Sequence, residues 1–392
     1  MASKKISRNE RYMLKRGALK KSGFDCWRLV TNAANRATGE EKRFFVEFYI
    51  VNPALSPKEC VLGFKSRITT TEADLHSTLE GSPATSAAGA EVMVQPSFVM
   101  VKAGVFCVGG KHINRYFPSS QLESGKSEFI VKVGSGNDIC ILTDSGTSGS
   151  VSVLYRDLDE RPELLCNPGT MKWNLRFEKQ VAFVPDYKGK GNHWACVGAC
   201  TVVGGAIMFD GQEYIVNPKT SFGYLEKKWG RSFASPFFHL NSSNLISLIS
   251  RKPLAKSCFA VQGVYENRLS VLICTEGRHV EFHADSHKKY QITWDCSEMP
   301  EDNEGVKLHW TVSVHNRKTV VDIDVFCPTN AMFLRDYESP EGGRKVLKVL
   351  GGGTGTGEIR IYHKIKKNLE LLEHARVSNV VCEYGNIELP AV

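Results

Sequence analysis

The sequence predicts an all-β protein built as two antiparallel β-barrel or sandwich domains with minor helices. Three observations carry this reading. Apolar residues recur with a period of two in many segments, among them "RFFVEFYIV", "EFIVKV", "VSVLY", "KLHWTVSV" and "TVVDIDVF". Clusters of Gly, Asn, Asp and Ser separate these segments at a spacing of roughly ten residues, as in sandwiches and barrels. Helical periodicity is scarce, the best stretches being the N-terminal leader and "KKNLELLEHA" (366–375). A chain of 392 residues is long enough for two domains or one large β architecture.

Taken in order, residues 1–22 form a basic leader, with Lys4, Lys5, Arg8, Arg11, Lys15, Arg16, Lys20 and Lys21 against Glu10 alone. It holds nearly all of the net charge of +8. The body therefore has no polyanion-binding field, and no nucleic acid is expected as a partner. The leader reads as a solvated tail or a short helix lying on the body, with weak contact to a membrane surface as the alternative. No apolar run of signal-peptide length follows it, and the longest apolar stretches are broken by glycine and too short to span a bilayer. A cytoplasmic location is the default.

The first β domain is placed at 23–165. Within it, "TTTEADLHSTLEGSPATSAAGAE" (69–91) reads as a long loop. "RPELLCNPGT" (161–170), with two prolines and a glycine, marks the seam, and the second β domain is placed at 168–392. The twelve cysteines show no repeated Cys-x-x-Cys and sit mostly in apolar runs, as reduced core thiols.

Several motifs bear on chemistry. "LGGGTGTGEIRIY" (350–362) lacks phosphate-loop spacing and precedes a strand, so it reads as a flexible hairpin loop, with a role as a lid over a barrel mouth left open. "HWACVGAC" offers His193, Cys196 and Cys200. Strand parity puts the histidine opposite the thiols, against a zinc site, and sets Trp194 beside small residues as in a cavity wall. "RHVEFHADSH" places His279, Glu281 and His283 on one face, opposite Val280 and Phe282, as a solvated polar face. In "SPFFHLNSSNL" neither face is cleanly apolar, which suits a ligand-holding barrel lumen. There is no Gly-x-Ser-x-Gly elbow and no nucleotide fingerprint.

"HWACVGACTVVGGAIMFDGQEYIVNPKTSFGYLEKKWGRSFASPFFHLNSSNL" resembles the hallmark region of the tocopherol cyclase-like proteins. These are grouped with AttH and carotenoid 1,2-hydratase proteins in a lipocalin-like double β-domain fold. His193, Trp194, Gly211, Tyr224, Glu226, Lys227, Trp229, Gly230, Phe233 and Asn244 fit the pattern. "GFDCWRLV" is similar to the family's first strand, through Phe24 and Trp27, and the closing segments "GGGTGTGEIRIY" and "VVCEYGN" look like those of a bacterial branch. The chain departs from the pattern at Asp25, Cys26, Arg28, Leu29, Lys228, Phe237 and His239. Arg28 and Lys228 add positive charge near the expected pocket.

The resemblance implies cyclase, hydratase or isomerase chemistry on a hydrophobic, isoprenoid-like small molecule, through alkene protonation and without a metal or redox cofactor. It makes Glu226 the first candidate acid, kept protonated by burial against indole. Tyr224 and His193 are then relays and Asp25 the second acid. Trp27, Trp194 and Trp229 are walls facing the cation, and Phe237, His239 and Asn244 line the ligand. A non-catalytic carrier of such a molecule is the alternative, and docking through the basic leader is the third.

Overall fold

The computed structural model describes residues 11–14, 19, 22–52, 98–118, 121–125, 127–160, 164–183, 192–265, 268–284, 289–303, 305–341, 345–366 and 368–388. The expected loop at 69–91, most of the leader and part of the seam lie outside these residues. What is described is nearly all strand, in two large antiparallel sheets, as the alternation in the sequence requires.

The first sheet holds β1 (Gly23–Asn35), β2 (Glu41–Asn52), β3 (Phe98–Phe106), β4 (Lys111–Pro118), β5 (Leu122–Ser124), β6 (Ile130–Val133), β7 (Cys140–Thr143) and β8 (Gly146–Val153), and then β9 (Gly169–Phe183), β10 (Asn192–Phe209), β11 (Gln212–Val216) and β12 (Gly223–Gly230). Its order is β4-β3-β2-β1-β11-β10-β9-β8-β7-β6-β5, with β12 pairing β1 and β10. β4 lies against β8, so the sheet curls around a core that includes Trp27, Phe44, Phe48, Trp173, Leu175 and Trp229. A short helix, α1 (Tyr155–Glu160), links β8 to β9.

The second sheet holds β13 (Phe237–Ser242), β14 (Asn244–Ser247), β15 (Cys258–Tyr265), β16 (Arg268–Thr275), β17 (Arg278–Phe282) and β18 (Gln291–Glu298), followed by β19 (Lys307–His315), β20 (Thr319–Pro328), β21 (Met332–Glu338), β22 (Val346–Ile365) and β23 (Asn368–Glu388). Its order is β17-β16-β15-β13-β23-β22-β20-β19-β18, with β14 on β23 and β21 on β22. It wraps its own core, where Phe238 of β13 meets Trp294 of β18 edge-on at 5.2 Å between centroids.

The division therefore falls between Gly230 and Phe237, not at 161–170. β8 and β9 pair directly across that stretch, from Gly146 opposite Arg176 to Val153 opposite Gly169. Its prolines and glycine make a connection inside one sheet.

Two further expectations change. "KKNLELLEHA" is not a helix, because from Asn368 onward it is the start of β23, paired with β22 from Ile365 opposite Asn368. The glycine run at 350–362 is not a loop but the middle of β22, flanked by β20, β21 and β23. Glycine is needed there for close approach. A Cβ at Gly357 would stand 1.9 Å from the carbonyl oxygen of Asp324, and one at Gly351 would stand 2.9 Å from Nη2 of Arg335. Among the described residues no helix is long and apolar enough to cross a membrane.

Candidate functional site

The two sheets face each other over apolar patches around Val30, Phe45, Phe106, Trp194 and Leu272, and around Phe24, Tyr49, Phe237, Tyr337 and Leu347. Between these patches lies a buried row of charge set by strand register. Directly opposed residues run Asn114–Lys102–Glu47–Arg28–Glu226 across β4, β3, β2, β1 and β12. Because opposed residues project from the same face, all five point at the second sheet. A second row answers it, with Ser270, Gln262, His239 and Glu383 opposed across β16, β15, β13 and β23.

The rows are tied together by ion pairs. Arg28 holds Glu226 at 2.7 Å through Nη2 and donates to Glu383 through Nη1. Arg335 of β21 also donates to Glu383, and Lys228 Nζ reaches Glu226 at 3.0 Å. Trp194 Nε1 and the Tyr224 hydroxyl donate to the second oxygen of Glu226 at 2.8 and 2.9 Å. Lys102 donates to the Asp336 carbonyl at 3.0 Å and lies 4.8 Å from the centre of the Tyr337 ring. Arg28, Glu226, Arg335 and Glu383 are at most 1% exposed. A buried charge is tolerated only when paired and hydrogen-bonded, and both conditions hold for these carboxylates.

Burial by itself raises the Glu226 carboxyl, but Arg28, Lys228 and His239 outweigh it and hold the group well below the usual carboxylate range. Glu383 is lowered in the same way, burial being overcome by Arg28 and Arg335. Glu226 is thus an ionised, fully partnered carboxylate rather than the protonated acid expected from its indole neighbour. Burial pushes His239 down to about 4, against the pull of Glu226 and with the help of Arg28. The imidazole is therefore neutral at pH 7, although it lies 3.9 Å from Glu226. Asn241 Nδ2 donates to its Nε2 at 2.8 Å, which leaves the ring proton on Nδ1.

The other candidates fall in a different place. Asp25, Trp27 and Trp229 point the opposite way, into the first sheet's core, and His193 stacks on Trp229 at 5.2 Å. Asp25 pairs with Lys227 at 3.1 Å, and the ammonium of Lys227 sits 4.6 and 5.0 Å from the Trp27 and Trp229 rings. Leader residues close this end of the barrel. The Met13 N–H donates to Asp25 at 2.6 Å, and Lys227 donates to the Arg11 carbonyl. Burial raises Asp25 to about 6 even against Lys227, so the upward shift expected of Glu226 is found at Asp25, without keeping it protonated at pH 7.

Parity correctly separated His193 from Cys196. Beyond it, bulges between Ala195 and Thr201 shift the register, so Ala199 joins Trp194 and Cys196 between the sheets. Asn244, on β14, bonds Asn379 at 2.6 Å and is not part of either cluster. The strand "SPFFHLNSSNL" lines no open lumen: Phe238 and Leu240 enter the second core, while Phe237, His239 and Asn241 are buried facing the first sheet. Glu281 bridges His279 and His283 at 3.5 and 2.8 Å on an exposed edge.

A narrow pocket opens beside the charge rows. Phe24, Tyr49, Phe233, Phe237, Tyr337, Leu347 and Val349 form its apolar wall, and Arg28, Lys228, Arg335 and Glu383 its polar end. Its volume of about 20 Å³ is room for a water or two, not for an isoprenoid, in this conformation. Nε and Nη1 of Arg335 make no hydrogen bond among the described residues. Sequence reasoning missed Glu47, Lys102, Arg335, Tyr337 and Glu383. The available signal was a single charge inside an otherwise apolar strand, as in "FFVEFYIV", "VMVKAGV" and "VVCEYG".

No family model matches the sequence, and no curated protein matches it. Among solved structures, the chain is similar to a protein from Nitrosomonas europaea provisionally assigned as an AttH, at 10% identity over 98% of this chain and 98% of that one, with a TM-score of 0.48. It is also similar to kievitone hydratase from Nectria haematococca, at 9% identity over 92% of this chain and 88% of that one, with a TM-score of 0.38. These likenesses concern overall architecture, and no residue role is taken from them.

Proposed function

We propose that the narrow pocket between the sheets widens, by movement of its aromatic wall, to bind a largely apolar small molecule, and holds an electron-rich oxygen of it on Arg335 and Lys228. The observation that carries this reading is the polar end of the pocket, where three cations and one carboxylate close an aromatic cavity, with two nitrogens of Arg335 free of hydrogen bonds. On this reading the chain is a cofactor-independent hydratase, cyclase or isomerase. The preorganised cations favour a transition state that gathers negative charge on a carbonyl or phenol oxygen. They disfavour the alkene-derived cation of the tocopherol cyclase-like route, and Glu226, held ionised, is not its proton donor. Tyr337, whose hydroxyl donates to Glu47 at 3.2 Å, is a neutral proton source lining the pocket.

A carrier is the second reading, favoured by one observation. The carboxyl with a raised pKa, Asp25, lies in the first sheet's core rather than in the pocket. Native mass spectrometry of the protein purified from its own host tests both readings by searching for a co-purifying lipophile. Lys228→Met is expected to weaken its binding by about tenfold or more, the value of a charge-assisted hydrogen bond. Turnover of the lipophile by the wild type and its loss in Tyr337→Phe support the enzyme, whereas recovery unchanged supports the carrier. A lipophile bound equally by wild type and Lys228→Met removes the proposed site.

A further inference from the structure

The turn end of the β22–β23 hairpin carries apolar side chains that the fold does not cover. Ile365, Leu369, Leu371 and Leu372 are 47, 52, 43 and 44% exposed. A register shift between Ile361 and Tyr362 sets Leu371 opposite Tyr362 and Leu369 opposite Lys364, and leaves Leu372 as the extra residue. Exposed Leu248 and Ile249 follow β14 on the same side, with the Leu248 N–H donating to the His374 carbonyl at 2.7 Å.

Cations ring this apolar ridge. Lys364 and Lys366 flank the hairpin turn, and Arg317 and Lys318 come from the neighbouring β19–β20 turn, tied in by the Lys364 N–H to the Lys318 carbonyl at 2.8 Å. Arg251 and Lys252 follow Ile249. All six are exposed, and none forms an ion pair among the described residues. Glu370 is the exposed carboxylate on the hairpin, and Glu373 is engaged by the Ser247 hydroxyl at 2.8 Å.

We propose that this end of the second sheet docks on an anionic lipid surface. The leucines and isoleucines enter the headgroup–acyl boundary, and the cations meet the lipid charge. A second copy of the chain fits less well, because a two-fold contact through the same patch would set like charges against one another.

The test is co-sedimentation of the full chain with vesicles of phosphatidylcholine alone or with one third phosphatidylglycerol, at low salt and at high salt. Binding is expected on the anionic vesicles and is expected to fall at high salt. The triple substitution Leu369→Ser, Leu371→Ser, Leu372→Ser is expected to weaken it by about tenfold or more, and Lys364→Glu with Lys366→Glu to abolish the preference for anionic lipid. Unchanged melting temperatures establish that these exposed substitutions leave the fold intact. Three results overturn the proposal: no binding to anionic vesicles, binding equal in wild type and both variants (which assigns it to the basic leader), or a concentration-dependent dimer that the leucine substitutions abolish.

Discussion

Arg28, Glu226 and Glu383 were each put in place by strand register, yet their charges cannot be relieved by solvent. Glu226→Gln leaves Lys228 without its carboxylate and Arg28 with Glu383 alone, and a broken buried pair costs about 3–5 kcal/mol. Urea unfolding at pH 7 checks this. His239 and Asp25 give opposite pH dependences. The unfolded chain protonates a histidine near pH 6.5 while the native state resists until about 4, so His239 removes stability as pH falls through that window. The native state protonates Asp25 near pH 6 and the unfolded chain near 4, so Asp25 restores stability as pH falls over much of the same range. In His239→Gln the His239 contribution is removed and the Asp25 effect stays. Its stability at pH 4.5 relative to pH 7 is expected to exceed that of the wild type by about 2–3 kcal/mol, measured by denaturant titration at both pH values. Tyr224, Glu226, Phe237 and His239 stand out in the sequence and lie together between the sheets, but the protonation of Glu226 and His239 was not legible. That depends on burial and on close charges, among them Glu383, which is 355 positions from Arg28 in sequence and in contact with it in space.

At the scale of elements, β22 leaves little room for added side chains along its glycine run. A methyl group at Gly357 would press on the backbone of β20, so Gly357→Ala is expected to destabilise the chain by about 1–3 kcal/mol, read as a lowered melting temperature. The strands themselves were legible because alternation is a local signal. The glycine run and "KKNLELLEHA" were misread because their environment is not local. Glycines in β22 answer side chains from other strands. Leu369 and Leu372 imitate a helical stripe because they serve no core.

For the whole molecule, both sheets contribute side chains to the same apolar patches and charge rows. One cooperative transition is therefore expected, with tryptophan fluorescence and far-ultraviolet circular dichroism coinciding on urea titration. Residues 1–232 and 233–392 expressed separately are expected to bind a hydrophobic dye and to lack cooperative melts, since each exposes the facing surface. Two non-coincident transitions in the intact chain would refute this coupling. The presence of two β units was legible in the sequence. Their boundary was not, because Pro and Gly at 161–170 mark a turn equally well within a sheet or between sheets.

The position of Glu383 in the last strand also has a consequence in time. A ribosome adding roughly 5–20 residues per second finishes β1 on the order of half a minute before it reaches Glu383. Both carboxylate partners of Arg28 are missing until β12 is made, and from then until Glu383 arrives the nascent first sheet presents Arg28 with one partner, on a surface of uncovered aromatic rings. The newborn chain thus passes through a sticky, half-neutralised stage that ends only when its final strand arrives. Factors that shield nascent chains should matter most for it during that wait.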